Sequence, residues 1–242
     1  MNGSVWRRAG GRLLDWLLPQ PCLACGLPAE DGLCSGCAAE LPWNLHACRR
    51  CALPLPAADG SGLCGRCLRR PPPAGSARTL FCYAEPVDRW ISALKFGRRL
   101  AAGRLLSRLM RQRLADLLPD LPLDALIAMP LHPARLRQRG YNQTIELLRP
   151  LRPLLPAPLH LDWLQRVRDT PQQSGLDAAH RRRNLRDAFR AAPMVRGLRL
   201  LLVDDVITTG STVNEATRCL LRAGAAEVHV LGWARVARGT RD

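Results

Sequence analysis

A chain of 242 residues has room for one large domain or two modest ones, and its 47% hydrophobic and 23% charged residues argue against wholesale disorder. Thirty-six basic residues against twenty acidic ones leave a formal net charge of +16, which favours anionic partners such as phosphates, nucleic acid or acidic lipid. Eight basic and five acidic residues precede Arg78, and twenty-eight oppose fifteen from there on, so the excess sits in the second part; Lys95 is the only lysine.

At the N-terminus Arg7 and Arg8 precede Leu13, Leu14, Asp15, Trp16, Leu17 and Leu18. Asp15 interrupts the apolar run, which is too short to cross a bilayer, and no small-residue cleavage site follows. A packed amphipathic helix in a cytoplasmic protein is therefore expected, with a membrane-surface helix as the alternative.

Eight of the ten cysteines then fall into four Cys-x-x-Cys pairs: Cys22 and Cys25, Cys34 and Cys37, Cys48 and Cys51, Cys64 and Cys67. A two-residue spacer lets one tight turn aim both sulfurs at a single ion, and two such turns complete a tetrahedral thiolate site. Redox motifs of this spacing come singly at a helix start, and disulfides need an oxidising compartment. Structural zinc is expected, one or two ions, with sequential and crossed pairing both open. Four sulfurs leave no open coordination position, so the metal holds a segment too small for its own core. Cys82 and Cys219 read as inert core residues.

The stretch RRPPPAGS at 69 to 76 reads as a linker, stiff and then flexible. It places a helix and double zinc ribbon in 1–72 and a second domain in 78–242, with metal removal expected to unfold only the part before the linker. Beyond it, apolar runs alternate with amphipathic segments, the pattern of a mostly parallel α/β sheet flanked by helices. Residues 80 to 84 and 125 to 129 read as strands. Residues 100 to 118 read as a helix, with Leu105, Leu109 and Leu117 at helical spacing. Lys95, alone in an arginine-rich chain, is a candidate point charge. The segment PLHPARLRQRGYNQ, 130 to 143, carries Arg135, Arg137 and Arg139, whose guanidinium forks suit phosphate oxygens but also suit a solvated basic loop. Residues 166 to 190 form a candidate lid with Arg166, Arg168, Thr170, Gln173, Arg183 and Asn184 as contacts; a charged helix face is the plainer reading.

Residues 200 to 212, LLLVDDVITTGST, form a buried strand, an acidic pair at its exposed end, and a small hydroxyl-rich turn into a helix at 211 to 223 that Gly224 ends; 228 to 233 is the next strand. Adjacent carboxylates Asp204 and Asp205 repel unless hydroxyls or a cation meet them. Thr208, Thr209, Gly210, Ser211 and Thr212 put small side chains and backbone amides at a helix N-terminus, an anion cradle at the carboxyl edge of the sheet. An ordinary helix cap needs one such residue, not the whole set.

At these residues the chain resembles the type I phosphoribosyltransferases. The resemblance implies that Asp204 and Asp205 bind the hydroxyls of 5-phosphoribosyl-1-diphosphate (PRPP), that residues 208 to 212 hold its 5-phosphate, that 129 to 143 is the diphosphate loop, and that Mg2+ accompanies PRPP. Taken with the cysteine pairs, Leu94-Lys95-Phe96 and the segment 166 to 189, the whole chain resembles the ComF/GntX family of competence-associated proteins. That implies a type I phosphoribosyltransferase-like fold behind a double zinc ribbon and a role in handling internalised single-stranded DNA, with uptake helicases or processing proteins as partners. An active phosphoribosyltransferase of nucleotide metabolism with an unidentified acceptor is the alternative. His132 is the nearest candidate base, and Trp43, Trp90, Tyr141 and Trp163 are the candidate stacking aromatics, without the regular interleaving of a single-strand groove.

Overall fold

The computed structural model describes residues 21–56, 62–118, 122–169 and 187–237. The expected N-terminal helix and the lid candidates Thr170, Gln173, Arg183 and Asn184 lie outside them. Contacts divide the chain between Leu41 and Pro42 rather than at the proline stretch.

In the first unit, Pro21 and Pro28 bridge antiparallel around the Cys22-to-Cys25 turn, which is closed by Cys22 N–H donating to the Leu27 carbonyl (2.7 Å) and Gly26 N–H to the Cys22 carbonyl (2.8 Å). Cys34 caps the short helix α1, Ser35–Ala39.

The second unit opens with the same local device. Ala47 and Pro54 bridge antiparallel around Cys48 and Cys51, and Cys64 caps helix α2, Gly65–Arg69. The turn residue that is Gly26 in the first ribbon is Ala52 here, held at φ 57°, a left-handed conformation that costs a residue with a Cβ. Its carbonyl accepts from buried Asn44 Nδ2 at 2.8 Å, and the same amide group donates to Thr79 Oγ1 at 2.8 Å. The second ribbon is thereby fastened to the sheet, as is also seen in Ala77 N–H donating to the Arg49 carbonyl at 2.9 Å.

After strand β1, Ser76–Cys82, come helices α3, Val87–Gly97, and α4, Leu100–Leu117, then strand β2, Ala125–Ala128. Helices α5, Pro133–Arg139, and α6, Gln143–Leu148, lead to strands β3, Leu159–His160, and β4, Leu164–Arg166. Strands β5, Phe189–Ala191, and β6, Arg199–Ile207, helix α7, Ser211–Arg222, and strand β7, Glu227–Arg235, complete the described chain. Five strands form one sheet in the order β1-β7-β6-β2-β3, every pair parallel; β4 and β5 form a separate antiparallel pair.

A parallel sheet covered on both faces needs continuous apolar strands, and β2 is buried at every position and β6 at all but Arg199 and Val206. Alternation divides their side chains between faces. Ile127, Leu200, Leu202, Val228 and Val230 pack with Val213, Ala216 and Leu220 of α7. On the other side Trp233 Nε1 donates to the Leu106 carbonyl of α4 at 3.2 Å. Ser107 Oγ donates to the Leu147 carbonyl at 2.8 Å and so ties α4 to α6. Expected and observed elements agree at 80 to 84, 100 to 118, 125 to 129, 211 to 223 and 228 to 233 to within a few residues at each end. No helix among the described residues is long and apolar enough to cross a membrane.

Candidate functional site

The ribbons' sulfurs form two groups in sequential pairing: Cys22, Cys25, Cys34 and Cys37 in the first unit, and Cys48, Cys51, Cys64 and Cys67 in the second, each with its sulfurs within 4.8 Å of one another. Cys25 and Cys34 stand 3.8 Å apart and Cys51 and Cys64 3.7 Å, which matches the edge of about 3.8 Å that a zinc–sulfur length of about 2.3 Å gives a tetrahedron. The thiols are unequal. Burial pushes Cys22 up, but the amides of Cys34, Cys25 and Ala24 bring it down to about 6, while the thiols of Cys34 and Cys25 push Cys37 up to about 12. In the second group burial is likewise outweighed by the amides of Cys64, Arg50 and Cys51, which bring Cys48 to about 7. Burial, then Cys51 and Cys64, push Cys67 up. One thiolate raises the cost of the next, so four together call for a divalent cation, and the donor set is that of structural zinc.

The second site is built where β6 and β2 end at the centre of the sheet. Asp204 and Asp205 were expected at an exposed strand end. The ladder instead runs on, with Val206 opposite Ala234 and Ile207 opposite Arg235, which leaves the two residues 8% and 3% exposed. Asp204 Oδ1 accepts the Asp205 amide at 2.9 Å. Burial, and then the neighbouring Asp205 carboxylate, raise the Asp204 carboxyl well above the ordinary range, with Lys95 pulling the other way. Lys95 reaches across from the last turn of α3 and sets its Nζ 2.6 Å from Asp205 Oδ2, with 17% and 5% of the two side chains exposed. The lone lysine is therefore the direct counter-charge of the acidic pair.

That contact decides how the pair would meet a magnesium ion. One Asp205 oxygen faces an ammonium, and one Asp204 oxygen takes a backbone amide. These two contacts leave the second oxygen of each carboxylate, and because Mg2+ keeps several waters and takes one or two carboxylates beside substrate phosphates, Asp204 and Asp205 would be the side chains to meet it.

The expected phosphate cradle follows at the entry to α7. Gly210 caps the helix at φ 80°, where glycine suffers no Cβ penalty. Thr209 Oγ1 lies 2.9 Å from Ser211 Oγ and accepts the Ser211 amide at 3.3 Å. The first amides of a helix lack intrahelical acceptors, so the turn presents donors and positive dipole to an anion. Behind it, Arg235, 4% exposed, donates through Nη1 to the carbonyls of Ile207 (2.9 Å), Thr208 and Val236 (2.9 Å), and through Nε to the Cys51 carbonyl (2.9 Å). One guanidinium clasps both the cradle and the second ribbon.

The expected diphosphate loop is partly helix. His132 caps α5, its Nδ1 accepting the Ala134 amide at 3.3 Å, Pro133 fills the first turn, and Gly140 ends it in a left-handed conformation. Residues two apart on a helix do not share a face while residues four apart do, so Arg137 turns away from Arg135 and Arg139. Arg135 pairs with Asp169 at 3.1 Å, Arg137 is exposed, and Arg139 bonds Gln143 within the field of Asp205. Arg166 is half-buried over Phe189 and lies in the field of Asp204, whereas Arg168 is exposed. Asn142 Nδ2 donates to the Met129 carbonyl at 2.9 Å while its Oδ1 caps α6, which fixes the loop that leaves β2. Tyr141 Oη donates to the Leu94 carbonyl, locking this corner to the helix that carries Lys95. Beside the loop opens a cavity of about 610 Å3, lined by Leu131, His132, Tyr141, Arg149 and Arg166 among others. Trp90, expected as a stacking residue, is 4% exposed and belongs to the core.

Tyr141, a candidate stacking aromatic in sequence, is instead engaged through its hydroxyl, and Asn142, Asp169 and Arg235 have no role assigned from sequence. Asn before a helix start is a recognisable cap signal, and an arginine closing the apolar run of β7 is a recognisable anomaly. The pairing of Asp169 with Arg135 has no sequence signature.

Two family models match: the double zinc ribbon domain over residues 13–68 and the phosphoribosyl transferase domain over residues 147–241. A DNA utilization protein YhgH from Salmonella typhi is 39% identical over 219 residues, covering 88% of this chain and 96% of that protein. Competence protein F from Haemophilus influenzae is 36% identical, covering 86% and 92%. The chain belongs to the ComF/GntX family. A ComF/GntX relative further away, competence protein ComFC of Streptococcus pneumoniae, is 26% identical over 66% of this chain and 68% of its own.

Proposed function

We propose that the protein acts in the handling of internalised single-stranded DNA, a reading supported as far as DNA use and competence by the names of its relatives, DNA utilization protein YhgH and competence protein F, and that the end of β6 binds PRPP or another phosphorylated ribose. The observation that carries the ligand is the arrangement of two buried carboxylates directly before a hydroxyl-lined helix entry. Asp204 and Asp205 would take the ribose hydroxyls as hydrogen-bond partners, and Thr208, Thr209, Gly210, Ser211 and Thr212 the 5-phosphate. Arg139 and Arg166, each within the field of one carboxylate, would meet the diphosphate. Magnesium arriving with PRPP would keep its waters and the diphosphate oxygens as its main ligands. Calorimetric titration with PRPP tests it: saturable binding is expected in the wild type and none in the Asp204→Asn/Asp205→Asn double variant. Equal binding by both would refute the assignment.

A second reading, an active phosphoribosyltransferase, is favoured by the cavity of about 610 Å3 beside His132 and Arg166, room for an acceptor that displaces diphosphate from the anomeric carbon. Release of diphosphate in the presence of candidate nucleobases, lost with Asp205→Asn, would separate it from simple binding.

A further inference from the structure

Phe96 stands apart from every other described aromatic residue. Phe81, Trp90, Phe189 and Trp233 are buried, Trp43 packs against Phe81 with centroids 4.8 Å apart, and Trp163 stacks on His160 at 3.6 Å. Phe96 is 71% exposed at the end of α3, a position where an apolar ring gains nothing from the protein's own core. Its one ring partner is a cation: the Arg139 guanidinium carbon lies 5.4 Å from the ring centroid. Beyond Gly97 come Arg98 and Arg99, both exposed, and Arg98 Nη2 lies against Gly140, where an added Cβ would be only 3.7 Å away. Among the described residues none of Arg98, Arg99 and Arg139 has a carboxylate at salt-bridge distance. The result is an open aromatic face rimmed by guanidinium groups.

We propose that Phe96, with Arg139 beneath it and Arg98 and Arg99 at its rim, is a stacking platform for one base of single-stranded DNA, laid beside the phosphate cradle. This rests on the DNA reading above and adds where the strand is held. A solvated ring flanked by arginines suits a flat, electron-rich base whose backbone carries phosphate, and not an apolar protein partner, for which the rim would cost desolvation. Bases in a duplex already stack on both faces, so a single strand is the form that offers one. The platform is also tied to the site. Consecutive Cα atoms are about 3.8 Å apart, so Phe96 sits one step from Lys95, whose Nζ meets Asp205 at 2.6 Å, and Tyr141 pins the α5–α6 corner to the same helix. A base on Phe96 and a phosphate at residues 208 to 212 can belong to one strand.

Fluorescence anisotropy with a labelled oligothymidylate 20-mer, and with an abasic 20-mer of equal phosphate number, tests this across a series of salt concentrations. Phe96→Ala is expected to weaken oligothymidylate binding roughly 5- to 150-fold, the range for loss of one stacked base, leave abasic binding and the salt slope unchanged, and be rescued by Phe96→Trp. Unchanged oligothymidylate affinity, or equal weakening of both strands, would overturn the platform while the DNA reading stands. A wild type that binds neither strand would overturn both. Thermal melting and zinc content of each variant show that it is folded.

Discussion

Asp204 and Asp205 are neighbours on one strand, both buried, yet replacing them with asparagine should move stability in opposite directions. Asp205→Asn leaves the Lys95 ammonium, 17% exposed, without its partner at 2.6 Å. Breaking one side of a buried pair costs about 3–5 kcal/mol, and partial access of Lys95 to water brings the expected loss to about 2–3 kcal/mol. Asp204→Asn keeps an oxygen for the Asp205 amide but removes a carboxyl that burial and its neighbour hold well above the ordinary range. Relief of that kind at a functional site is worth about 1 kcal/mol. At about 2–4 °C per kcal/mol for a chain of this size, the two midpoints should separate by roughly 6–16 °C in thermal melts, with urea titrations of the zinc-loaded protein giving the energies. The pH dependence has a definite sign. Because the folded state holds the Asp204 proton more tightly than the unfolded chain, its contribution is complete below the ordinary carboxyl value of 3.8 and is lost as pH rises through the raised one. The advantage of Asp204→Asn should therefore grow with pH and vanish in acid. Two variants that shift alike, or an advantage that grows in acid, would refute the account of this pair.

Arg235→Met, which keeps much of the side-chain volume while deleting the clasp on Ile207, Thr208 and Cys51, should weaken PRPP binding at least fivefold although Arg235 is not proposed to contact the ligand. Unaltered binding by calorimetry would show that the cradle holds its shape unaided. Removing zinc should disturb the sheet as well as the ribbons, because Asn44, Arg49 and Cys51 around the second cysteine group all bond to sheet residues. Hydrogen exchange after chelation is expected to rise in β1 and at residues 207 to 209, and exchange confined to residues before 72 would restore the independent N-terminal module anticipated from the linker.

Much of the architecture is legible in the sequence because its signals are local. Cys-x-x-Cys spacing constrains two sulfurs within one turn, an apolar run bounded by an acidic pair and Gly210 defines a strand, turn and helix, and the spacing of Leu105 and Leu109 gives α4 its buried stripe. The pairing of the cysteine turns in order also needs only neighbours in the chain. What tertiary structure decided are relations between distant segments of the same charged residue types. The side chain that answers Asp205 is Lys95, 110 positions earlier. The arginine that steadies Thr208 is Arg235, which also reaches Cys51. Arg135, Arg137 and Arg139 look equivalent in sequence, and only helix formation turns Arg137 to solvent while Arg135 meets Asp169 and Arg139 meets Phe96. Burial of the acidic pair and exposure of Phe96 follow the same logic: each depends on how far a strand continues or where a helix ends against its neighbours, which is set by packing and not by the residue itself.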